Sequence, residues 1–171
     1  MKVRARVRAW DEAGSQRLQS PVGRSRGWRW LAWLLAHSGD SWVTVPALLL
    51  AAWLWPAARP RLMAATAAVL VLAALVLGLK FVIRRERPRS PWGGIYRKTD
   101  PHAFPSGHAA RAALLATLAC FWLPPWPALG VTLWAAGVSW ARLALGLHYP
   151  TDVLAGWLLG WWVAWATHAW T

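Results

Sequence analysis

The sequence predicts an all-α fold: a polytopic membrane helix bundle of about five to six helices, preceded by an N-terminal interfacial arm. Three observations carry that prediction. Apolar residues make up 57% of the 171, and 17 residues are tryptophan, far above a soluble norm. Leu62 to Leu79 runs without a charge, and 18 residues at ~1.5 Å each span roughly 27 Å, close to the hydrocarbon thickness of a bilayer. The basic residues cluster outside the apolar runs, where lipid phosphates explain a net charge of +13. In a soluble chain that charge would suggest nucleic acid; here nucleic acid is not expected as a partner.

Residues 1–38 read as a basic arm with an interfacial helix, and 39–171 as the transmembrane domain. The first 29 residues carry eight Lys or Arg, and their apolar content is too broken for a cleaved signal peptide, so the arm is expected to be retained. KVRARVRAW alternates with period two, which fits no amphipathic helix, whereas Trp10 to Leu18 suits the interface; the arm is read as surface-bound or partly disordered. Ser41 to Trp55 is a short first span with Pro46 in its early turns, lengthened by Trp28 to His37 if Gly39-Asp40 only bends the chain. Leu62 to Leu79, Gly107 to Leu123, Trp126 to Leu147 and Val153 to Trp170 follow, bounded by Pro, Gly or charge; two of them carry Arg111 and Arg142. Cys120 stands alone inside a span and reads as a small packing residue.

Each span carries the chain across, so the loop 80–106 and the connection 142–152 open on the side of the arm. Tryptophans suit that layout: Trp28, Trp30, Trp42 and Trp92 form a belt on this side, and Trp53, Trp55, Trp122, Trp126 and Trp170 one on the other. Trp157 and Trp161 fall deeper and read as lipid-facing or packed. The shared face gathers Lys80, Arg87, Ser106, Gly107, His108, Arg142, His148 and Asp152. Three fixed cations, two imidazoles and a carboxylate suit a phosphoryl group, since arginine forks hold two phosphate oxygens and lysine adds a point charge. Taken singly, Arg142 equally reads as a snorkelling side chain.

Pro105-Ser106-Gly107-His108 looks like a helix start, with serine as N-cap and glycine leaving the backbone N–H groups open to an anion. His148 and Asp152 are four apart, so the carboxylate is placed to accept a hydrogen bond from one ring nitrogen and leave the other as a nucleophile. His108 then remains to protonate a departing oxygen. The alternative is a helix-capping Asp152 and an interfacial His148. His102, His108, His148, Asp100 and Asp152 also have metal-ligand chemistry, but neighbouring cations would repel a divalent ion and only six carboxylates exist in the chain. Neither a metal nor a cofactor is expected.

These residues resemble the phosphatidic acid phosphatase type 2 superfamily of membrane lipid phosphatases. KFVIRRERP (Lys80 to Pro88) is similar to its first signature, PSGH (Pro105 to His108) to its second, and Arg142, five residues, His148, three residues, Asp152 to its third. The resemblance covers roughly Gly39 to Thr171. It implies that His148 attacks phosphorus to form a phosphohistidine, that Asp152 orients it, and that His108 protonates the leaving group and later activates water. Lys80, Arg87, Ser106, Gly107 and Arg142 would bind the phosphate, without metal. The family commonly has serine before the third-motif arginine, where this chain has Ala141, with Ser139 two positions earlier; one phosphate hydrogen bond fewer should weaken binding more than turnover. The implied partners are membrane lipids and a lipid phosphate or diphosphate substrate, polyprenyl diphosphate first, phosphatidic acid and phosphatidylglycerol phosphate next. A non-hydrolytic lipid-phosphate binder is the less favoured class, and no oligomeric state is implied. Eight basic residues in the arm and six in 81–106, against Arg59 and Arg61, favour a cytoplasmic site, whereas the family usually faces outward.

Overall fold

The computed structural model describes residues 2–88, 90, 100 and 102–171. Among them are seven α-helices: α1 Lys2–Arg24, α2 Arg26–Ser38, α3 Ser41–Leu54, α4 Arg59–Ile83, α5 Gly107–Trp122, α6 Pro125–Ala144 and α7 Pro150–His168, with a 3-10 turn at Pro56–Ala58. No strand occurs among the described residues, only an isolated bridge between Glu86 and His102. Prolines start three of the helices, at the first-turn positions where a missing N–H costs nothing: Pro60 in α4, Pro125 in α6 and Pro150 in α7. A left-handed Arg84 (φ 48°) ends α4. Each of the five expected spans coincides with a helix, and Trp92 of the predicted belt lies outside the described residues.

Helix α5 lies at the centre, packed against both α6 and α7. Its Ala109, Ala110, Ala112 and Ala113 are fully buried. Ala109 and Ala110 face Gly156 and Gly160 of α7, where an added Cβ would strike the Ser106 and Ala110 carbonyl oxygens at 2.6 and 2.1 Å, while Ala112 packs against Ala135 and Val138 of α6. Small residues on both helices bring the backbones together, the mode of association favoured where lipid removes the hydrophobic drive between helices. Ala65, Val69, Leu72 and Val76 of α4 close the core against Leu114 and Leu118 of α5.

The outer surface is apolar: Leu70, Val82, Trp126, Leu133, Leu158 and Trp161 are all more than half exposed. A soluble protein does not present so continuous an apolar surface, and the chain is read as membrane-associated. Pro56–Ile83 is long and apolar enough to cross a bilayer on its own; α3, with 14 residues, is short. Trp161 faces outward as expected, while Trp157 is half-buried and donates its Nε1–H to Ser139 Oγ (2.8 Å). Cys120, expected as a packing residue, is exposed on the outer surface of α5.

Two expectations are corrected. The arm, read as surface-bound or partly disordered, is helical over Lys2–Arg24, including KVRARVRAW, whose period-two alternation fits no amphipathic helix. The periodicity test failed because the inward side of α1 is largely polar: Asp11 and Ser15 are buried beside Val22, so the helix is held by hydrogen bonds instead of an apolar stripe. Nor does α2 lengthen α3. The chain breaks at Gly39-Asp40, and α2 seats Ala32 and Ala36 against Ala141 and Ala144 of α6.

Candidate active site

The predicted residues meet at one end of the bundle. A cavity of ≈ 160 Å³ is lined by Lys80, Asp100, Gly107, His108, Arg111 and His148, and along α4 by Val69, Leu72, Ala73, Val76 and Leu77. One wall is therefore ionic and the other aliphatic. Backbone bonds stitch the motif segments together: Ala103 N to Arg85 O (2.7 Å), Ser106 N to Asp152 O (3.0 Å) and Leu147 N to Arg142 O (3.0 Å).

His148 is buried in the loop between α6 and α7. Its Nδ1 lies 2.8 Å from the Ala103 carbonyl, which can only accept, so Nδ1 carries the proton and Nε2 is the unprotonated nitrogen. Arg87 Nη1 donates to Nε2 at 3.1 Å and to Leu147 O at 2.8 Å. The expected hydrogen bond to Asp152 is not made. Asp152 Oδ2 stands 3.7 Å from Nδ1, because that carboxylate accepts from Tyr149 N (2.8 Å) and from Arg85 Nη1 (2.7 Å). The capping reading of Asp152 is thus correct for its nearest bonds, and a main-chain carbonyl fixes the His148 tautomer. Burial pushes the His148 pKa well below the usual histidine value, and the charges of Arg87, Arg142, Lys80 and His108 push it further the same way. The ring is held neutral.

Lys80 and Arg87 both reach Asp100: Lys80 Nζ contacts Asp100 Oδ2, and Arg87 Nη2 donates to the same oxygen at 2.8 Å. A carboxylate therefore occupies the cations assigned to phosphate. Arg142 is fully buried at the end of α6. Ser106 sits at the N-cap position of α5, but its hydroxyl makes no capping bond; Oγ is fully enclosed with no hydrogen-bond partner among the described residues. A buried hydroxyl left open is costly unless a ligand satisfies it. Ser139 does not replace the absent serine at position 141, since its Oγ is bonded to Ala135 O and Trp157 Nε1. Ala141 is fully buried against α2.

Several residues of the site escaped the sequence reading. His108 Nε2 contacts Asp40 Oδ1, from the break between α2 and α3. Arg111, one turn along α5, donates to Gly39 O. Arg85, inside the first motif, fastens three elements: Nη1 to Asp152 Oδ1 and to Thr151 Oγ1 (2.6 Å), Nη2 to Asp11 Oδ2 (2.6 Å). Asp11, fully buried, also accepts from Thr151 N (3.0 Å) and Thr151 Oγ1 (2.7 Å). The signal was the scarcity of acids: with six against 19 bases, each buried carboxylate has a specific cation to serve. Among the described residues, no group of three His, Cys, Asp or Glu is placed to hold a metal.

The family model described as PAP2 superfamily matches residues 61–171. The chain belongs to the PAP2 superfamily. Among PAP2 relatives, it is 34% identical over 128 residues to an undecaprenyl-diphosphatase of Sulfolobus acidocaldarius, covering 72% of this chain and 60% of the relative. It is 38% identical over 130 residues to a decaprenylphosphoryl-5-phosphoribose phosphatase of Mycolicibacterium smegmatis, covering 71% and 67%. The match to a lipid A 4'-phosphatase of Bacteroides thetaiotaomicron, 36% identical, covers 51% of this chain and 43% of that one. The chain thus spans between 43% and 67% of the length of these curated relatives. The fold is shared with the crystal structure of a transmembrane PAP2-type phosphatidylglycerolphosphate phosphatase from Bacillus subtilis (TM-score 0.81, 22% identity, covering 96% of this chain and 85% of the other). It is also shared with Aquifex aeolicus LpxE (TM-score 0.75, 22% identity, covering 91% and 92%).

Proposed function

We propose that this PAP2 protein is a metal-independent, multi-pass membrane phosphatase that hydrolyses a lipid phosphate or diphosphate, with a polyprenyl diphosphate as the favoured substrate. The observation that carries the reading is the locked imidazole. His148 presents an unprotonated Nε2 between Arg87 and a cavity with one cationic and one aliphatic wall. A phosphate would exchange Asp100 for itself on Lys80 and Arg87 and accept from Ser106 Oγ, with the fully buried Arg142 adding charge. The aliphatic strip of α4 would take the first carbons of the chain.

Nε2 attacks phosphorus in line, the P–O bond to the lipid breaks, and His108 gives its proton to the departing oxygen. Water then attacks the phosphohistidine and returns a proton to His108, which frees phosphate and restores Nε2. Fixed cations stabilise the equatorial oxygens in both steps, where positioning and charge account for most of the catalysis. Asp152 acts on His148 through the loop it anchors, by way of Arg85 and Tyr149 N. The similarity to an undecaprenyl-diphosphatase supports the favoured substrate, and the fold shared with a phosphatidylglycerolphosphate phosphatase keeps that lipid next.

The test is phosphate release from polyprenyl diphosphate, phosphatidic acid and phosphatidylglycerol phosphate under chelation. Turnover is expected with EDTA present and is expected to vanish in His148→Ala while the protein stays folded in detergent. Undiminished turnover in that variant removes the nucleophile assignment.

A further inference from the structure

The carboxylate and the histidine predicted to pair do not: Asp152 stands off His148, and the carboxylate that touches a site imidazole is Asp40, on His108. Asp40 is placed with care. It occupies the two-residue break between α2 and α3, at the N-cap position of α3, yet its side chain makes no capping bond. Oδ1 contacts His108 Nε2, while Oδ2 accepts from His37 Nδ1 and Trp42 Nε1, both at 3.0 Å. Arg111 grips Gly39 O from α5, so the break is tied to the same helix that carries His108. An ordinary helix cap would spend the carboxylate on backbone N–H groups; here three side chains take it.

We propose that Asp40 is the positioning carboxylate of His108. It holds the Nε2–H, turns Nδ1 toward the phosphate, and stabilises the imidazolium that the leaving-group step needs. That stabilisation matters because Lys80 and Arg111, which line the same cavity as His108, are cationic, while Asp100, which also lines it, is already paired with Lys80 and Arg87. Burial alone would raise the Asp40 pKa, but its bonds and charge contacts with His108 and His37 outweigh burial and hold the carboxyl below the usual carboxylate range. The charge is therefore present throughout the working pH range. His37, part-exposed, backs Asp40 from the outer side.

This inference rests on the proposed hydrolysis, and the experiment separates the two. Turnover of the preferred lipid phosphate is measured for wild type, D40N, H108A and the double variant. D40N is expected to lose about 10- to 100-fold in kcat, a part of the roughly 10²–10⁴ that the general acid itself contributes, because the imidazole remains in place. In the H108A background the same change is expected to cost less than about twofold, because a residue that acts only through another adds nothing once that other is gone. A wild-type rate in D40N overturns the proposal, as does a loss of equal size in both backgrounds, which marks a merely structural role. Full activity in H148A instead overturns the hydrolytic reading itself. Should D40N not fold, Asp40→Ser, which also removes the charge, takes its place in the same cycle with the same two outcomes.

Discussion

The contact between α5 and α7 sets the distance between two motifs, and Gly156→Ala tests it. A methyl at Gly156 would lie 2.6 Å from Ser106 O, 3.1 Å from Ala110 N and 3.3 Å from Ala109 Cβ. The first is about 0.8 Å short of the 3.4 Å at which ordinary contact begins, and two of the three atoms are backbone, which cannot swing aside. The helices must part by most of that distance. Ser106 N is bonded to Asp152 O at 3.0 Å, so parting them pulls the Ser106–His108 start of α5 away from the His148–Asp152 segment. Overpacking of this kind costs about 1–3 kcal/mol, and a displacement near 1 Å between reacting groups costs on the order of 10²-fold in rate. Phosphate release and thermal unfolding in detergent should show both losses. Gly130→Ala, on α6 with nothing within 4 Å of the new methyl, is the control and should be neutral. If Gly156→Ala retains wild-type rate and stability, close helix approach does not set the site geometry.

Three further outcomes follow from the charges. Asp11→Asn weakens the junction of α1 with Arg85 and Thr151 and is expected to lower kcat about tenfold with little change in KM, as one buried charge-assisted hydrogen bond of ~1.5–3 kcal/mol is lost; a pure KM effect would instead place α1 at the lipid entrance. Asp100→Asn removes the carboxylate that competes for Lys80 and Arg87, so inhibition by inorganic phosphate should tighten by roughly three- to tenfold; unchanged inhibition would show that phosphate does not meet those cations. Burial first, then the surrounding cations, lower the His148 pKa, and protonation removes the attacking lone pair. The acid limb of kcat/KM, which reports the free enzyme, should therefore lie well below pH 6.5, and Arg87→Ala should move it upward; an acid limb at or above that value would contradict a buried neutral nucleophile.

The helices were legible because their signals are local. Apolar runs, proline starts and the Pro124-Pro125 turn fall where the chain changes direction, and counting crossings was enough to bring Lys80, His108 and His148 to one end. The partners of those residues were not legible, because hydrogen bonds between distant segments leave no periodic trace. Asp11 lies 141 positions before Asp152 and meets it through Arg85. Asp40 read as a bend between helices, since sequence cannot show that its carboxylate faces α5. The short spacing of His148 and Asp152 suggested a direct bond, but the capping geometry of α7 and the Arg85 fork claim both carboxylate oxygens. The helical arm was missed for a related reason: its buried side is polar, so a test for an apolar stripe rejects it.

The most direct test of the central claim is to trap the covalent intermediate. Wild-type protein mixed with substrate labelled in its terminal phosphate and quenched rapidly in alkali should carry label that is acid-labile and alkali-stable, on the peptide containing His148. Label absent from that peptide under turnover conditions, or label surviving acid as a phosphoester would, contradicts attack by the His148 imidazole.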